Sequence, residues 1–208
     1  MADHPEDRPP EEARLPEAGL PEAGLPENVR WLLSYYRTSE INGALFFGRV
    51  ARAVRGPLVA DVTHHFADES THASLWTRCL SDLGLEPIKI GKAYQDQYLA
   101  AIGVPANLME IMAITQVFER RVIGQYRLHL RHRDTHPAVR ATIERIMLDE
   151  RWHISYVSDA LHDMEGRYGA DTVAATLRRF AEADEEVYAK TLSEYADRMD
   201  FLTARYGR

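Results

Sequence analysis

Two pentapeptides in this chain carry the same pair of chemical groups at the same spacing: Asp68-Glu69-Ser70-Thr71-His72 and Asp149-Glu150-Arg151-Trp152-His153. On a helix, residues i and i+3 share a face, so each pentapeptide presents a carboxylate and an imidazole side by side. Oxygen and nitrogen donors of this kind suit divalent transition metals. A lone Glu-x-x-His carries little weight, because with 18 Glu and 9 His in 208 residues about 0.8 is expected by chance. Requiring Asp before the Glu lowers that expectation to roughly 0.05, and the chain has two.

The elements that must position these groups are helices. From Asn28, the predicted N-cap, long helical periodicity runs to residue 54 and stops at Gly56-Pro57. A second helix is predicted from Pro57 to Gly84, with the proline in the first turn. Residues 85–105 hold Pro87, Gly91, Gly103 and Pro105, with a short helix predicted over 94–102. A third long helix spans 105–132. Pro137 opens a fourth that stops at Gly169, and a fifth runs over 171–200. Strand signals are lacking. Short turns join the first to the second helix and the third to the fourth, which predicts two antiparallel hairpins. The long connection between them can travel the length of a bundle, as in bundles with one crossover.

Each hairpin then carries a third acid at the right height. Glu40 lies sixteen residues before the turn at 56 and Glu69 thirteen after it, about 24 and 20 Å away at a 1.5 Å rise. Glu119 and Glu150 lie sixteen before and fifteen after a turn near 135. Both hairpins therefore present Glu…Glu-x-x-His at one level, as 40/69/72 and 119/150/153, offset by 79 to 81 residues. These residues share stripes with Leu33, Tyr36 and Phe47, with Phe66 and Trp76, with Met112, Ile123 and Tyr126, and with Ile143, Ile146 and Val157. Burying four carboxylates on apolar stripes without cations would be very costly, so two divalent metals are expected, with iron or manganese best suited to the donors.

The set Glu40, Glu69-x-x-His72, Glu119, Glu150-x-x-His153 resembles the carboxylate-bridged di-iron site of the ferritin-like superfamily. The likeness covers roughly residues 28–165 and rests on site pattern and helix order. It implies an all-α, ferritin-like four-helix bundle, two antiparallel hairpins with a long crossover, here followed by a C-terminal fifth helix. It implies that Glu69 and Glu150 bridge the metals, with Glu40 and His72 on one and Glu119 and His153 on the other. Asp68 and Asp149 resemble the acids that hydrogen-bond the opposite imidazoles in soluble di-iron monooxygenases and desaturases. Tyr126, two turns beyond Glu119, resembles a tyrosine of aldehyde-deformylating oxygenases that reaches a ligand carboxylate. Tyr36, one turn before Glu40, reads as packing or a substrate-pocket wall. His65 lies one turn before Glu69; it reads as a packed histidine, with contact to the site as the alternative. His129, His132 and His136 cluster near a turn and read as solvated. Gly43 and Ala44 either open space beside the metals or allow close helix packing.

What the resemblance implies is a non-haem di-iron oxidase or oxygenase that uses O2 on a small organic substrate, by hydroxylation, desaturation, N-oxygenation or aldehyde oxidation. Its cofactor is two iron ions, with manganese or a mixed Mn/Fe pair as alternatives. The chain's one cysteine, Cys79, rules out a CxxC rubredoxin-type module, so electrons come from a separate ferredoxin or reductase or from the substrate. The readings set against this are a ferroxidase for iron storage, a rubrerythrin-like peroxide scavenger, a manganese catalase-like enzyme, and an interaction module in which the metals only brace the helices. The fifth helix, with Phe180, Val187, Tyr188, Leu192 and Tyr195 at helical spacing, either covers the bundle or forms a homodimer interface.

Charge and composition narrow the partners. Of the net charge of −7, residues 1–28 contribute −6, from eight acids and two arginines; the rest has 24 acids against 23 bases. A neutral body with an acidic segment is no footprint for nucleic acid. Six of the ten prolines precede residue 27, and Pro-Glu-Ala-Gly-Leu occurs twice over 16–25. Residues 1–27 are therefore expected to be a disordered acidic Pro/Glu-rich tail, a solubilising leader or a docking peptide, ahead of one helical domain over 28–208. No membrane span and no secretory or transit signal is evident, and a cytoplasmic protein is expected.

Overall fold

The computed structural model describes residues 25–203; residues 1–24, which hold nearly all of the acidic Pro/Glu-rich segment, and 204–208 lie outside the described residues. The described residues are all-helical, with α1 (Glu27–Ala53), α2 (Val59–Asp82), α3 (Tyr94–Ile102), α4 (Leu108–Arg131), α5 (Pro137–Tyr168), α6 (Ala170–Glu194) and α7 (Ala196–Thr203). None of these helices is long and apolar enough to cross a membrane.

Turn chemistry sets the hairpins. Gly56, at φ +81°, turns the chain after α1, in a left-handed conformation that costs glycine little. The Arg55 guanidinium donates to the carbonyls of Arg52, Ala53 and Val54 at 3.2, 3.1 and 2.8 Å, satisfying acceptors that the helix end leaves open. Helix α2 starts at Val59 rather than at Pro57, which stays in the turn. Asn28 is not the N-cap of α1: Pro26 is, its carbonyl accepting from Val29 and Arg30 at 3.0 and 3.3 Å, and Asn28 sits inside the first turn. Helix α4 begins after Asn107, whose side chain accepts from the Glu110 N–H at 3.1 Å while Glu110 accepts from the Ala106 N–H at 2.7 Å. At α5 the His136 side chain caps the Ala138 N–H at 3.2 Å, with Pro137 at the first helical position.

Helices α1 and α2 pack along each other, as do α4 and α5, and α2 packs on α5. The connection between the hairpins runs beside α1. Arg30 donates to the Glu86 carbonyl at 2.7 Å, the Ile88 N–H to Ser34 Oγ at 3.1 Å, and Gln95 to the Ser39 carbonyl at 3.2 Å. It thus climbs α1 from its first turns to its middle before α4 begins, and α4 runs antiparallel to α1 with its last turns beside Tyr36.

Helix α6 covers α3, α4 and α5. Tyr98 donates to the Phe180 carbonyl at 2.7 Å, and Tyr94 donates to the Asp184 carboxylate, which also receives Arg121 from α4. The fifth helix predicted over 171–200 is two helices, broken at Tyr195 (φ −114°, ψ 28°). The break has a packing cause. The Tyr195 ring lies 4.7 Å from Trp31 and 6.4 Å from Tyr35, centroid to centroid, and α7 turns back onto α1. The core runs between the helices through Leu32, Leu33, Trp76, Leu80, Met112 and Ile143, all fully buried.

Candidate metal centre

The four helices α1, α2, α4 and α5 each send acid or imidazole groups to one point: Glu40 from α1, Glu69 and His72 from α2, Glu119 from α4, Glu150 and His153 from α5. Each of the six is at most 6% exposed. Their donor atoms form two groups, Glu40, Glu69, His72 and Glu150 in one and Glu69, Glu119 and His153 with His65 in the other, all atoms of a group lying within 4.8 Å of one another. Glu69 belongs to both. Glu150 faces both imidazoles, with Oε1 3.4 Å from His72 Nδ1 and Oε2 3.2 Å from His153 Nδ1.

The imidazoles are oriented from behind, and the contacts cross between helices. His72 Nε2 lies 3.2 Å from Asp149 of α5, and His153 Nε2 lies 3.1 Å from Asp68 of α2. An N–H held on Nε2 by these acids leaves Nδ1 as the donor lone pair, aimed at the carboxylates. Arg145 fixes Asp149 in turn at 2.6 Å. Nδ1 of His72, wholly buried, makes no hydrogen bond, although three glutamates surround it. A divalent cation between these groups would satisfy that atom and neutralise the acids, and the donor set could hold one.

The electrostatics of the bare cluster give the same picture. Burial, then the charges of Glu40 and Glu119, push the Glu69 acid well above the usual carboxylate range. Glu150 is pushed up by burial and by Glu119. Burial works to raise Glu119 as well, but hydrogen bonds from His153, His65 and Glu150 outweigh it and hold that acid well below its ordinary value. His72 and His153 are pulled down by burial and pushed up more strongly by the acids around them, each to about 9. The cluster therefore holds protons wherever it lacks a cation.

Tyr126 donates its hydroxyl to Glu40 and accepts from Trp76 Nε1 at 3.0 Å. Tyr36 stands edge-on to Tyr126, with ring centroids 5.1 Å apart, and its hydroxyl lies 3.3 Å from His129 Nδ1. His129 is not solvated, as the polar run after it suggests: α4 extends to Arg131, which puts His129 one turn past Tyr126 on the inner stripe, 3% exposed. Burial pushes its pKa down to about 4, so the ring is neutral near pH 7. His132 and His136 are half-buried.

His65 touches the site, the lesser of the two readings its sequence position allowed. Its Nε2 lies 3.1 Å from Glu119 and 3.3 Å from Glu69, and its Nδ1 lies 2.7 Å from the Tyr156 hydroxyl. The ring is stacked between Phe47 and His153, both at 3.7 Å. Its signal was available: it completes His65-x-x-x-Glu69-x-x-His72 along one face of α2.

Between α1 and α4, beneath α3, a cavity of about 300 Å³ opens onto the acids. Glu40, Glu69, Glu119 and Glu150 form its polar end, and Phe46, Leu99, Phe118 and Val122 line much of the rest. Gly43 lines it too, and the absent side chain has a purpose: a Cβ at this position would overlap a carboxylate oxygen of Glu69. Gly43→Ala is expected to push Glu69 off its position and weaken metal binding about tenfold, the lower end of the cost of disturbing a ligand's support, with the fold intact. Competition with a chromophoric chelator measures this, and an unchanged affinity contradicts it. Comparison of the chain with protein-family models, curated proteins and solved structures gave no match.

Proposed function

We propose that the protein is a ferritin-like non-haem di-iron oxidase or oxygenase acting on a small organic substrate. The observation that carries this reading is that two donor groups sharing Glu69 form the end of a largely apolar cavity, so that a substrate and two metal ions would meet there. The two hairpins, with one connection climbing α1, support the ferritin-like helix order. Manganese, or one ion of each kind, suits the same donors.

Bound at this centre, a pair of redox-active ions supplies the reduction of O2 that side chains cannot perform. The chain's own groups do the rest. Glu40, Glu69, Glu119 and Glu150 with His72 and His153 hold the ions, and Asp68 and Asp149 keep each imidazole in the tautomer that binds metal. Tyr126 fixes Glu40 and keeps a proton beside it, since burial and then the Glu40 charge push the phenol well above its ordinary pKa. Tyr36 packs edge-on against Tyr126 and helps hold that ring in place. Phe46, Phe118 and Val122 hold an apolar substrate against the acids. Electrons enter from a ferredoxin-type partner or from the substrate.

Anaerobic titration with Fe(II) tests the reading: about two irons per chain, the number of donor groups, followed by O2 uptake that candidate substrates accelerate. A chain that binds no iron overturns it. Iron that accumulates far beyond two per chain on exposure to air assigns the protein to storage instead.

A further inference from the structure

The two halves of the centre are related by a sequence offset of about 80 residues, and comparing them position by position shows where they part. Glu40 corresponds to Glu119, Glu69 to Glu150 and His72 to His153. Four residues before Glu69 stands His65; four before Glu150 stands Ile146, equally buried. Seven residues after Glu119 stands Tyr126, whose hydroxyl binds Glu40; seven after Glu40 stands Phe47, which offers Glu119 no hydroxyl and stacks on His65 instead. One half thus pairs its outer acid with a phenol, the other with an imidazole.

The geometry points to His65 as a third imidazole ligand, bound through Nε2 to the metal position of Glu119 and His153, so that the two ions of the centre are unlike. This rests on the di-metal reading above and deepens it. Ligands of one ion, at bonds of about 2.1 Å and angles between the octahedral and tetrahedral values, lie ~3.0–3.4 Å apart. His65 Nε2 is already 3.1 Å from Glu119 Oε1 and 3.3 Å from Glu69 Oε1, and His153 Nδ1 faces the same Glu69 oxygen at 3.9 Å. All four donor atoms lie within 4.8 Å of one another. Behind the ring, the Tyr156 hydroxyl at 2.7 Å accepts the Nδ1–H and leaves the Nε2 lone pair facing the carboxylates, the part that Asp68 plays for His153. Phe47 and His153 hold the ring in plane from both sides. The other reading of the same distances is that His65 keeps its proton on Nε2 and donates to Glu119, a positioning role.

Co(II) loading of the full chain separates the two. Each Co(II)-bound imidazole gives a far-shifted, solvent-exchangeable N–H resonance, so the wild type is expected to show three and His65→Ile, which copies the other half, two. Titration with Co(II) is expected to resolve two steps in the wild type, with the tighter one weakened at least about tenfold in His65→Ile. His65→Gln keeps an N–H donor near Nε2 and is expected to behave as His65→Ile; it also serves if the isoleucine variant does not fold. Two shifted resonances in the wild type, or a glutamine variant that titrates like the wild type, overturn the assignment of His65 while leaving the di-metal centre in place. A wild-type chain that binds no Co(II) overturns both.

Discussion

On the di-metal reading, replacing Glu150 with leucine is expected to abolish loading of both metal ions and, with it, the thermal stabilisation that metal gives the wild type. Both halves of this result follow from the same side chain. Glu150 is 1% exposed, and its two oxygens face one imidazole each, so its removal takes a donor from both metal positions. In the metal-free protein the same carboxyl is a liability: burial, then Glu119, Glu69 and Glu40, push its acid form well above the ordinary range. An apolar residue of similar volume removes that repulsion together with the carboxyl that both imidazoles face, so the comparison rests on the gain that metal brings. Metal is what separates the two proteins. At free metal about a thousand times the dissociation constant, each ion adds ~4 kcal/mol to the wild type, so two add ~8 kcal/mol. For a chain of this length that corresponds to a rise of roughly 15–30 °C in Tm. Thermal melts with and without anaerobic Fe(II) or Co(II) make the comparison. A wild type that gains nothing from metal, or a Glu150→Leu protein that gains as much as the wild type, contradicts the expectation.

The acids and imidazoles of this centre were legible because helical rise is a ruler. Counting from the turns placed Glu40 level with Glu69 and Glu119 level with Glu150, and the structure brings their side chains together. The short helix over 94–102 was legible too, being bounded by Gly91 and Gly103. What escaped was set by tertiary contact. His65 shares its stripe with Glu69 and His72, but an imidazole that packs there and one that faces the acids look alike until the partner helices are in place. His129 was hidden by the polar run 131–134, which signals the end of a helix but not which way its last inner residue points. The break at Tyr195 has no local cause, since helical periodicity continues across it. It comes from the aromatic rings of Trp31 and Tyr35, more than 150 residues earlier in the chain. Asn28 and Pro57 erred in the ordinary way of helix ends, by two residues or fewer.

Asp184→Ala is expected to destabilise the protein by about 3 kcal/mol and yet leave the metal stoichiometry unchanged. Asp184, 5% exposed on α6, accepts from Tyr94 of α3 and from Arg121 of α4, the latter at 2.9 Å through Nε. Arg121 in turn lies 4.0 Å over the Tyr188 ring. Removing the carboxylate leaves a half-buried guanidinium and a buried phenol without their shared acceptor, and loss of one partner from a buried pair costs ~3–5 kcal/mol. The lower figure applies because Arg121 keeps Glu185 at 2.7 Å on the surface side. None of the proposed metal donors lies on α3 or α6, so the count of bound ions should not move. The cavity should respond, because Gln95 and Leu99 of α3 line it and Tyr94 is what Asp184 holds. Urea unfolding of the metal-free protein gives the stability. The triple variant Tyr94→Phe, Arg121→Leu, Asp184→Leu should recover much of the loss, because it leaves none of the buried polar groups unpaired and frees only the exposed Glu185. If Asp184→Ala costs nothing, the carboxylate does not tie α3 to the helices below. If instead it also loses metal, α3 and α6 set the positions of the donors themselves, and the cavity and the centre are one cooperative unit.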